Sequence, residues 1–279
     1  MIELKRPRGR PPSVKTAQTA TSVQSLDRAL ALMELIAQED GLTLTELAQR
    51  AGVPPSTAHR ILGTLEAHDY VLHEEERGLW LIGVKAFEVG SSFLRNRKLA
   101  ATGRAVMRKL LEECGESVNL AIEDDGSIVF VSQIESHHPI RAFHRPGSRG
   151  AIHASGVGKA LLSTLSAEDV RRVLHKTGLE KFTDKTLVEP GKLFAELEAT
   201  RARGWAIDDE ERTPGMRCVA APIYNEHGEA FAGLSVSGPT VRVSDDRLGE
   251  LGPMVKRAAE EITKSIGGHA PEQARGSTP

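Results

Sequence analysis

Residues 42–66, LTLTELAQRAGVPPSTAHRILGTLE, carry the strongest structural signals in the N-terminal third of the chain. Thr43, with Glu46 three residues later, predicts the capped start of a short helix, and Gly52 is a residue type that ends helices. Pro54-Pro55 favours the start of the next helix. Apolar residues then recur at helical spacing: Ala58, Ile61, Leu62 and Leu65. The pattern predicts two helices joined by a tight turn.

The residues on either side extend this pattern. Helical spacing of apolar residues predicts a preceding helix over residues 23–38, before a break at Asp40-Gly41. The following YVLHEEERGLWLI predicts a hairpin with strands at 70–74 and 78–82, turning near Arg77-Gly78. Three helices followed by a hairpin are typical of a winged helix-turn-helix.

Polar residues of the third predicted helix lie off its apolar stripe and are candidates for DNA contact. They are Ser56, Thr57, His59, Arg60 and Thr64. Side chains of these types reach base edges and phosphates when a helix lies in the major groove of double-stranded DNA. Taken singly, each of these residues could instead belong to a solvated helix face without a role in DNA binding. The acidic run Glu74–Glu76 would repel phosphates, so the hairpin is not expected to supply much of the affinity.

Residues 1–21 form a basic, Pro-rich segment that is expected to be a disordered arm. Five cations against Glu3 alone give this segment a charge of about +4, whereas the whole chain has a formal net charge of -2. Arg8 and Arg10 belong to Arg-Gly-Arg-Pro, the core of an AT-hook, in which arginines enter a narrow minor groove. A generic electrostatic arm is the alternative.

Length and composition exclude several classes of protein. A chain of 279 residues predicts about two domains, and 39% hydrophobic with 27% charged residues excludes wholesale disorder. No apolar run approaches the roughly 18 residues that span a bilayer, and no apolar segment follows the basic N-terminus as in a secretory signal. With only Cys114 and Cys218, a reduced cytoplasmic location without disulfides is expected.

The C-terminal two-thirds predict a second domain with alternating elements. We expect a linking helix at 84–101, a domain over 102–267 and a disordered tail at 268–279. The predicted helices are 103–114, 155–165, 167–175, 190–203 and 244–266. The predicted strands are 117–124, 128–134, 140–144, 205–209, 217–224 and 230–237, with a loop at 145–150. This order indicates an α+β domain with antiparallel pairing.

Common catalytic and metal motifs are missing from this second domain. The segment 153–160 lacks the first Gly and the Ser/Thr of a P-loop, and the sequence contains no G-x-S-x-G. Four histidines close in sequence lack the usual metal-ligand spacing: His137, His138, His144 and His153. We therefore expect no metal, no cofactor and no catalytic residue. The rival interpretation is a small-molecule enzyme attached to a DNA-binding domain, with Cys218 as nucleophile beside a His.

Three polar stretches instead favour binding of a small anion. Residues 153–162 form a loop entering a helix, where backbone N–H groups near Gly156 are free to bind an anion. Ser235 and Ser237 are two residues apart on a predicted strand and face the same way. The run Asp208–Glu211 is interpreted as a mostly solvated acidic turn, with Asp208 turned inward.

The chain resembles the IclR family of transcriptional regulators over residues 22–267. The resemblance is carried by five stretches: VQSLDRALALMELI, LTELAQRAGVPPSTAHRILGTLE, HASGVGKALL, DDEERTPGMRCVAAPIYNEHG and LSVSGPTVR. It implies a winged helix-turn-helix at 22–83, joined by a linker helix to a GAF-like α/β effector domain. It also implies homodimers or tetramers on a palindromic operator, and no catalysis.

The resemblance further implies an effector site. Family members that sense glyoxylate or pyruvate bind the acid with positions that correspond here to Gly156, Val157, Asp208, Met216, Cys218, Ser235 and Ser237. Val157 stands where a smaller Ala is common. The motifs are most similar to those of regulators of glyoxylate metabolism, including that of the β-hydroxyaspartate cycle. We therefore expect a small 2-oxo acid, glyoxylate before pyruvate, and keep an aromatic or sugar acid as the alternative.

Overall fold

The computed structural model describes residues 23–39, 41–96 and 99–271, with only the backbone for residues 92–96, 100 and 101. The predicted arm with Arg8 and Arg10 lies outside the described residues, as do residues 272–279 of the predicted tail. The chain divides into two compact units, with the boundary between Ser92 and Phe93.

The N-terminal unit contains the elements predicted for a winged helix-turn-helix. Its helices are α1 (Gln24–Gln38), α2 (Leu44–Arg50) and α3 (Pro55–Glu66), and its strands are β1 (Leu42–Thr43), β2 (Val71–Glu74) and β3 (Leu79–Ile82). The capping box is confirmed, because Thr43 N–H donates to Glu46 Oε2 at 2.9 Å and Glu46 N–H donates to Thr43 Oγ1. Pro55 occupies the first turn of α3.

One strand of this unit was not predicted. The two residues of β1 pair with β3, giving the described N-terminal unit a sheet of order β1-β3-β2. The core between the helices and this sheet buries Leu32, Leu47, Leu62 and Trp80. The predicted hairpin turn is confirmed, with Gly78 at a φ of 65° that favours glycine.

The C-terminal unit is built around one antiparallel sheet. Its strands are β4 (Ser117–Asp124), β5 (Ser127–Ile134), β6 (Arg149–Ala151), β7 (Ala206–Asp209), β8 (Met216–Tyr224) and β9 (Ala230–Pro239), in the order β6-β5-β4-β9-β8-β7 within the described chain. Its helices are α5 (Leu99–Cys114), α6 (Gly156–Leu162), α7 (Ala167–Thr177), α8 (Pro190–Arg203) and α9 (Asp245–Ser265). The predicted α+β class with antiparallel pairing is confirmed.

Helices cover both faces of this sheet. Helices α5 and α9 bury Met107, Val255 and Ile262 against one face, together with Leu234 and Val236 of β9. Helices α6, α7 and α8 cover the other face, with Leu161, Val170 and Leu193 among the buried residues. Because side chains alternate along a strand, Ser235 and Ser237 point to the α6 side.

The strand predicted at 140–144 is wrong. This segment has no regular structure, and β6 lies instead at Arg149–Ala151, where it overlaps the end of the loop predicted at 145–150. Side chains satisfy the backbone here: the carbonyl of Ala142 accepts from Ser117 Oγ at 2.9 Å, and His144 N–H donates to Gln133 Oε1 at 3.3 Å. A segment whose backbone groups are bonded to side chains has no need of a strand partner.

Two predicted boundaries differ in the structure, the first between the linker helix and the C-terminal domain and the second at the end of that domain. The helices predicted at 84–101 and 103–114 have other bounds. Helix α4 spans Val84–Asn96 and α5 begins at Leu99, with residues 97 and 98 outside the described part. At the other end, Gly268 N–H donates to the carbonyl of Thr263, and His269 N–H donates to that of Asn225. The ordered structure therefore continues past the boundary predicted at residue 267.

Candidate functional site

Helix α3 presents the polar residues that the sequence singled out for DNA contact. Ser56, His59, Arg60 and Thr64 are exposed, whereas Thr57 is half-buried. Thr64 Oγ1 donates to the carbonyl of Arg60 at 2.9 Å, so this hydroxyl is bonded to its own helix. The opposite face is held by Ala58 and Leu62 in the core. The exposed face is therefore polar, and Arg60 is its cation.

The hairpin β2–β3 carries the acidic run. Glu75 and Glu76 are exposed, and Glu74 forms an ion pair with Arg77 at 3.3 Å. The His73 ring packs against Trp80 at an interplanar angle of 30°, with ring centroids 4.6 Å apart. Pairing with Glu74 compensates the charge of Arg77, so the hairpin tip offers little net positive charge to a phosphate.

In the C-terminal unit, a cavity of about 550 Å³ lies between the sheet and the start of α6. Its lining includes every residue that the resemblance assigned to the effector: Gly156, Val157, Asp208, Met216, Cys218, Ser235 and Ser237. These residues come from α6, β7, β8 and β9. The register explains the convergence, since Cys218 pairs with both Asp208 on β7 and Ser237 on β9.

Asp208 is a buried carboxyl group at the wall of this cavity. Its Oδ1 accepts a hydrogen bond from Glu211 N–H at 2.9 Å. Burial raises the pKa of Asp208 to about 7, against the opposing effect of the Lys159 cation. Near neutral pH this carboxyl group therefore exists in both protonation states and can donate or accept a hydrogen bond.

The two serine hydroxyls are oriented by an amide that sequence reasoning missed. Asn119 on β4 is fully buried, and its Nδ2 donates to Ser237 Oγ at 3.2 Å and to Ser235 Oγ at 3.4 Å. Its Oδ1 accepts from Gln133 Nε2 at 2.7 Å. Because the hydroxyl oxygens accept from Asn119, their protons are directed elsewhere. The sequence signal that could have indicated it was a polar Asn within the predicted strand 117–124.

The start of α6 forms another wall of the cavity. Ser155 caps the helix by accepting from Gly158 N–H at 3.1 Å. Gly156 and Val157 N–H have no acceptor within the described residues, as is usual in a first turn. A Cβ at Gly156 would lie 2.8 Å from Cys218 Sγ, so glycine is needed there. Val157 packs against Gly233 and narrows the cavity.

The interpretation of residues 208–211 as a mostly solvated turn is wrong for Glu211. This side chain is buried and forms an ion pair with Lys159, which is also buried, on α6. Thr186 Oγ1 donates to the Glu211 carbonyl at 2.6 Å, and Thr183 Oγ1 donates to that of Glu210 at 2.8 Å. Lys159 was missed because its partner lies 52 residues away.

Aromatic rings form part of the cavity lining. Phe130 and His144 stack with centroids 4.1 Å apart and an interplanar angle of 5°. Burial lowers the pKa of His144, which favours its neutral form. His153 lies outside this lining, with its Nε2 at 3.0 Å from the Glu180 carbonyl oxygen. Neither histidine forms a hydrogen bond with Cys218 in the described structure.

The described part of the chain has neither a metal cluster nor a membrane span. Among residues 23–39, 41–96 and 99–271, no three His, Cys, Asp or Glu side chains are grouped to hold a metal ion. Over the same part of the chain, no helix has the length and apolar character needed to cross a bilayer.

Comparisons with known proteins match both units to domains of one family. Residues 25–75 match the family described as the IclR helix-turn-helix domain, and residues 91–264 match Bacterial transcriptional regulator IclR C-terminal. The chain is 48% identical over 258 residues to the HTH-type transcriptional regulator BhcR of Paracoccus denitrificans, covering 92% of each chain. It is 47% identical to the transcriptional repressor IclR of Escherichia coli, covering 94% of this chain and 96% of that protein. The crystal structure of Thermotoga maritima IclR superposes with a TM-score of 0.76 at 26% identity, covering 88% of this chain and 99% of that chain.

Proposed function

Since the chain belongs to the IclR family of bacterial transcriptional regulators, we propose that it controls a metabolic operon in response to a small 2-oxo acid. Like its relatives, which are transcriptional regulators, it is a DNA-binding regulator and not an enzyme. The E. coli relative is named a repressor, which supports repression for this chain as well. The observation that carries the effector proposal is the convergence of Asp208, Cys218, Ser235 and Ser237 on one cavity.

The polar groups of the cavity match the parts of such an acid. The N–H groups of Gly156 and Val157 and the hydroxyls of Ser235 and Ser237 donate to its carboxylate, and such bonds to a charged acceptor are strong. Asp208 accepts a hydrogen bond from a hydroxyl of the hydrated aldehyde, or donates one when it is protonated. Aldehydes hydrate more extensively than ketones, so glyoxylate ranks before pyruvate. Met216 contacts the apolar part of the acid.

A larger aromatic or sugar acid is the second candidate. The cavity volume of about 550 Å³ falls in the range of sites that hold ligands much larger than a two-carbon acid. The stacked pair Phe130 and His144 in its lining gives it a flat surface suited to a ring. Binding of both ligand classes to the full chain, compared under the same conditions, distinguishes the two candidates.

On DNA, we propose that a homodimer or tetramer binds a palindromic operator. Helix α3 enters the major groove with Ser56, Thr57, His59, Arg60 and Thr64, and Arg8 and Arg10 of the N-terminal arm reach the minor groove. Self-association is supported by three exposed apolar residues, namely Val23, which directly precedes α1, and Leu26 and Leu30 on this helix. Helix α4 is continuous through the boundary between the units and is the proposed route from effector to DNA.

Calorimetry on the full chain tests the effector assignment. Glyoxylate, pyruvate and 4-hydroxybenzoate are titrated into wild type and into the double variant Ser235→Ala/Ser237→Ala. Each hydrogen bond to a charged group contributes about 1.5–3 kcal/mol, so the double variant is expected to lose 2-oxo acid binding while operator binding stays intact. Ser265→Ala, on α9 and away from the cavity lining, is the matched control. Binding of the aromatic acid alone would overturn the 2-oxo acid assignment.

A further inference from the structure

The thiol of Cys218 is not needed for the hydrogen bonds proposed between the cavity and the acid. It lines the cavity beside Gly156, where a glycine leaves room for it. It lies across from Asp208 on one neighbouring strand and from Ser237 on the other. The hydroxyls of Ser235 and Ser237 line the same cavity. A nucleophilic atom, a carboxyl group and two hydroxyls therefore surround the space in which the acid would bind.

In the resting state the thiol keeps its proton. Burial raises the pKa of Cys218 to about 11, and the negative charge of Asp208 adds to the shift. Thiol addition to a carbonyl therefore needs a base close to the sulfur. Asp208 has no ion-pair partner among the described residues, and its pKa of about 7 leaves a large fraction of carboxylate at neutral pH.

We infer, on the basis of the proposed 2-oxo acid effector, that Cys218 captures the aldehyde form of the acid as a reversible hemithioacetal. The sulfur attacks the aldehyde carbon, a C–S bond forms, and the π electrons of the C=O bond move to oxygen. The thiol proton passes to the Asp208 carboxylate and from there to that oxygen. The product is a thioether carbon that bears one hydroxyl and the carboxylate. No oxidant is used and no group leaves.

The product suits the cavity better than a thiolate would. Its sulfur is uncharged, so burial no longer opposes the bound form. Its hydroxyl donates to Asp208, in the place of one hydroxyl of the hydrate. A ketone is a weaker and more hindered electrophile, so the same cavity binds pyruvate without a covalent bond. Covalent capture is thus a means of selecting an aldehyde acid over a ketone acid of similar charge and size.

Carbon-13 NMR of the full chain with glyoxylate labelled at its aldehyde carbon tests the inference. The expected bound signal comes from a carbon with one sulfur and one oxygen neighbour, distinct from the two-oxygen carbon of the hydrate. Cys218→Ser should abolish this signal, and Cys114→Ala is the matched control that should retain it, since Cys114 lies outside the cavity lining. Operator binding confirms that each variant is folded.

Affinities for an unreactive analogue provide the second readout. Oxamate shares the carboxylate and the adjacent carbonyl of the acid and resembles pyruvate in size, but its amide carbon does not accept a thiol. Cys218→Ser should weaken glyoxylate binding at least roughly tenfold, or about 1.4 kcal/mol, while changing oxamate binding much less. Bound glyoxylate that gives only the hydrate signal in wild type would overturn the covalent inference and leave the proposed effector standing. Absence of any glyoxylate binding would overturn both.

Discussion

The buried ion pair of Lys159 and Glu211 gives the sharpest test of how the cavity is supported. The side chains are 1% and 5% exposed, and the Lys159 cation acts on two buried acids, Glu211 and Asp208. The Oε2 atom of Glu211 has no hydrogen-bond partner in the described structure. Removal of Lys159 would therefore leave an uncompensated buried carboxylate beside a second one.

We expect Lys159→Met to destabilise the C-terminal unit by about 3–5 kcal/mol, the usual cost of breaking a buried pair. The double variant Lys159→Met/Glu211→Leu removes both charges and should recover most of this loss. Burial raises the pKa of Glu211, and Lys159 opposes that shift. In the single variant the pKa of folded Glu211 rises further, so folding takes up protons. Stability is then lost as the pH rises through that pKa, and the deficit should be larger at about pH 8 than at about pH 5.

Urea unfolding monitored by tryptophan fluorescence measures this effect. Trp205 packs in the core of the C-terminal unit and Trp80 in that of the N-terminal unit, so a Trp80→Phe background isolates the relevant signal. Lys185→Met is the matched control, because this exposed lysine pairs with Asp209 and Glu210 in the same turn. Its midpoint should stay near that of the background protein. The reasoning is refuted if Lys159→Met unfolds at the same urea concentration as this control, or if the double variant is no more stable than the single one.

Three further predictions concern DNA binding and the cavity. Thr57→Ala and Arg60→Ala should each weaken operator binding by about 1–3 kcal/mol, the usual value of one good contact to a base. If fluorescence anisotropy titrations give both variants the operator affinity of wild type, α3 does not contact the DNA. Replacing Glu74–Glu76 by Gln removes charge that repels phosphates and should tighten binding to non-operator DNA. If the variant and wild type bind non-operator DNA with equal affinity, the hairpin lies away from the DNA backbone. The pKa of Asp208 rises from 3.8 in the unfolded chain to about 7 on folding. The contribution of Asp208 to stability is therefore lost as the pH rises between these values. Asp208→Asn should make the urea midpoint of unfolding depend less on pH over this range. Parallel pH profiles for wild type and this variant would contradict the assigned pKa.

Nearly every element of the N-terminal unit could be predicted from local sequence signals. The capping box of Thr43 and Glu46, the proline at the start of α3 and the glycine at the hairpin turn each act over a few residues. Such signals are readable because their partners are adjacent in the chain. The unpredicted strand β1 is only two residues long, too short to show a period.

Motifs also indicated which residues surround the cavity, but the contacts that hold these residues in place depend on packing between distant parts of the chain. Asn119 orients serines that follow it by 116 and 118 residues, and Lys159 compensates Glu211 across 52 residues. The segment at 140–144 has the composition of a strand, yet side chains of Ser117 and Gln133 bond its backbone instead. Local periodicity reports which face of an element is apolar. It does not report which distant polar group will satisfy a buried donor, acceptor or charge, because that partner is set by the packing of the sheet and its helices.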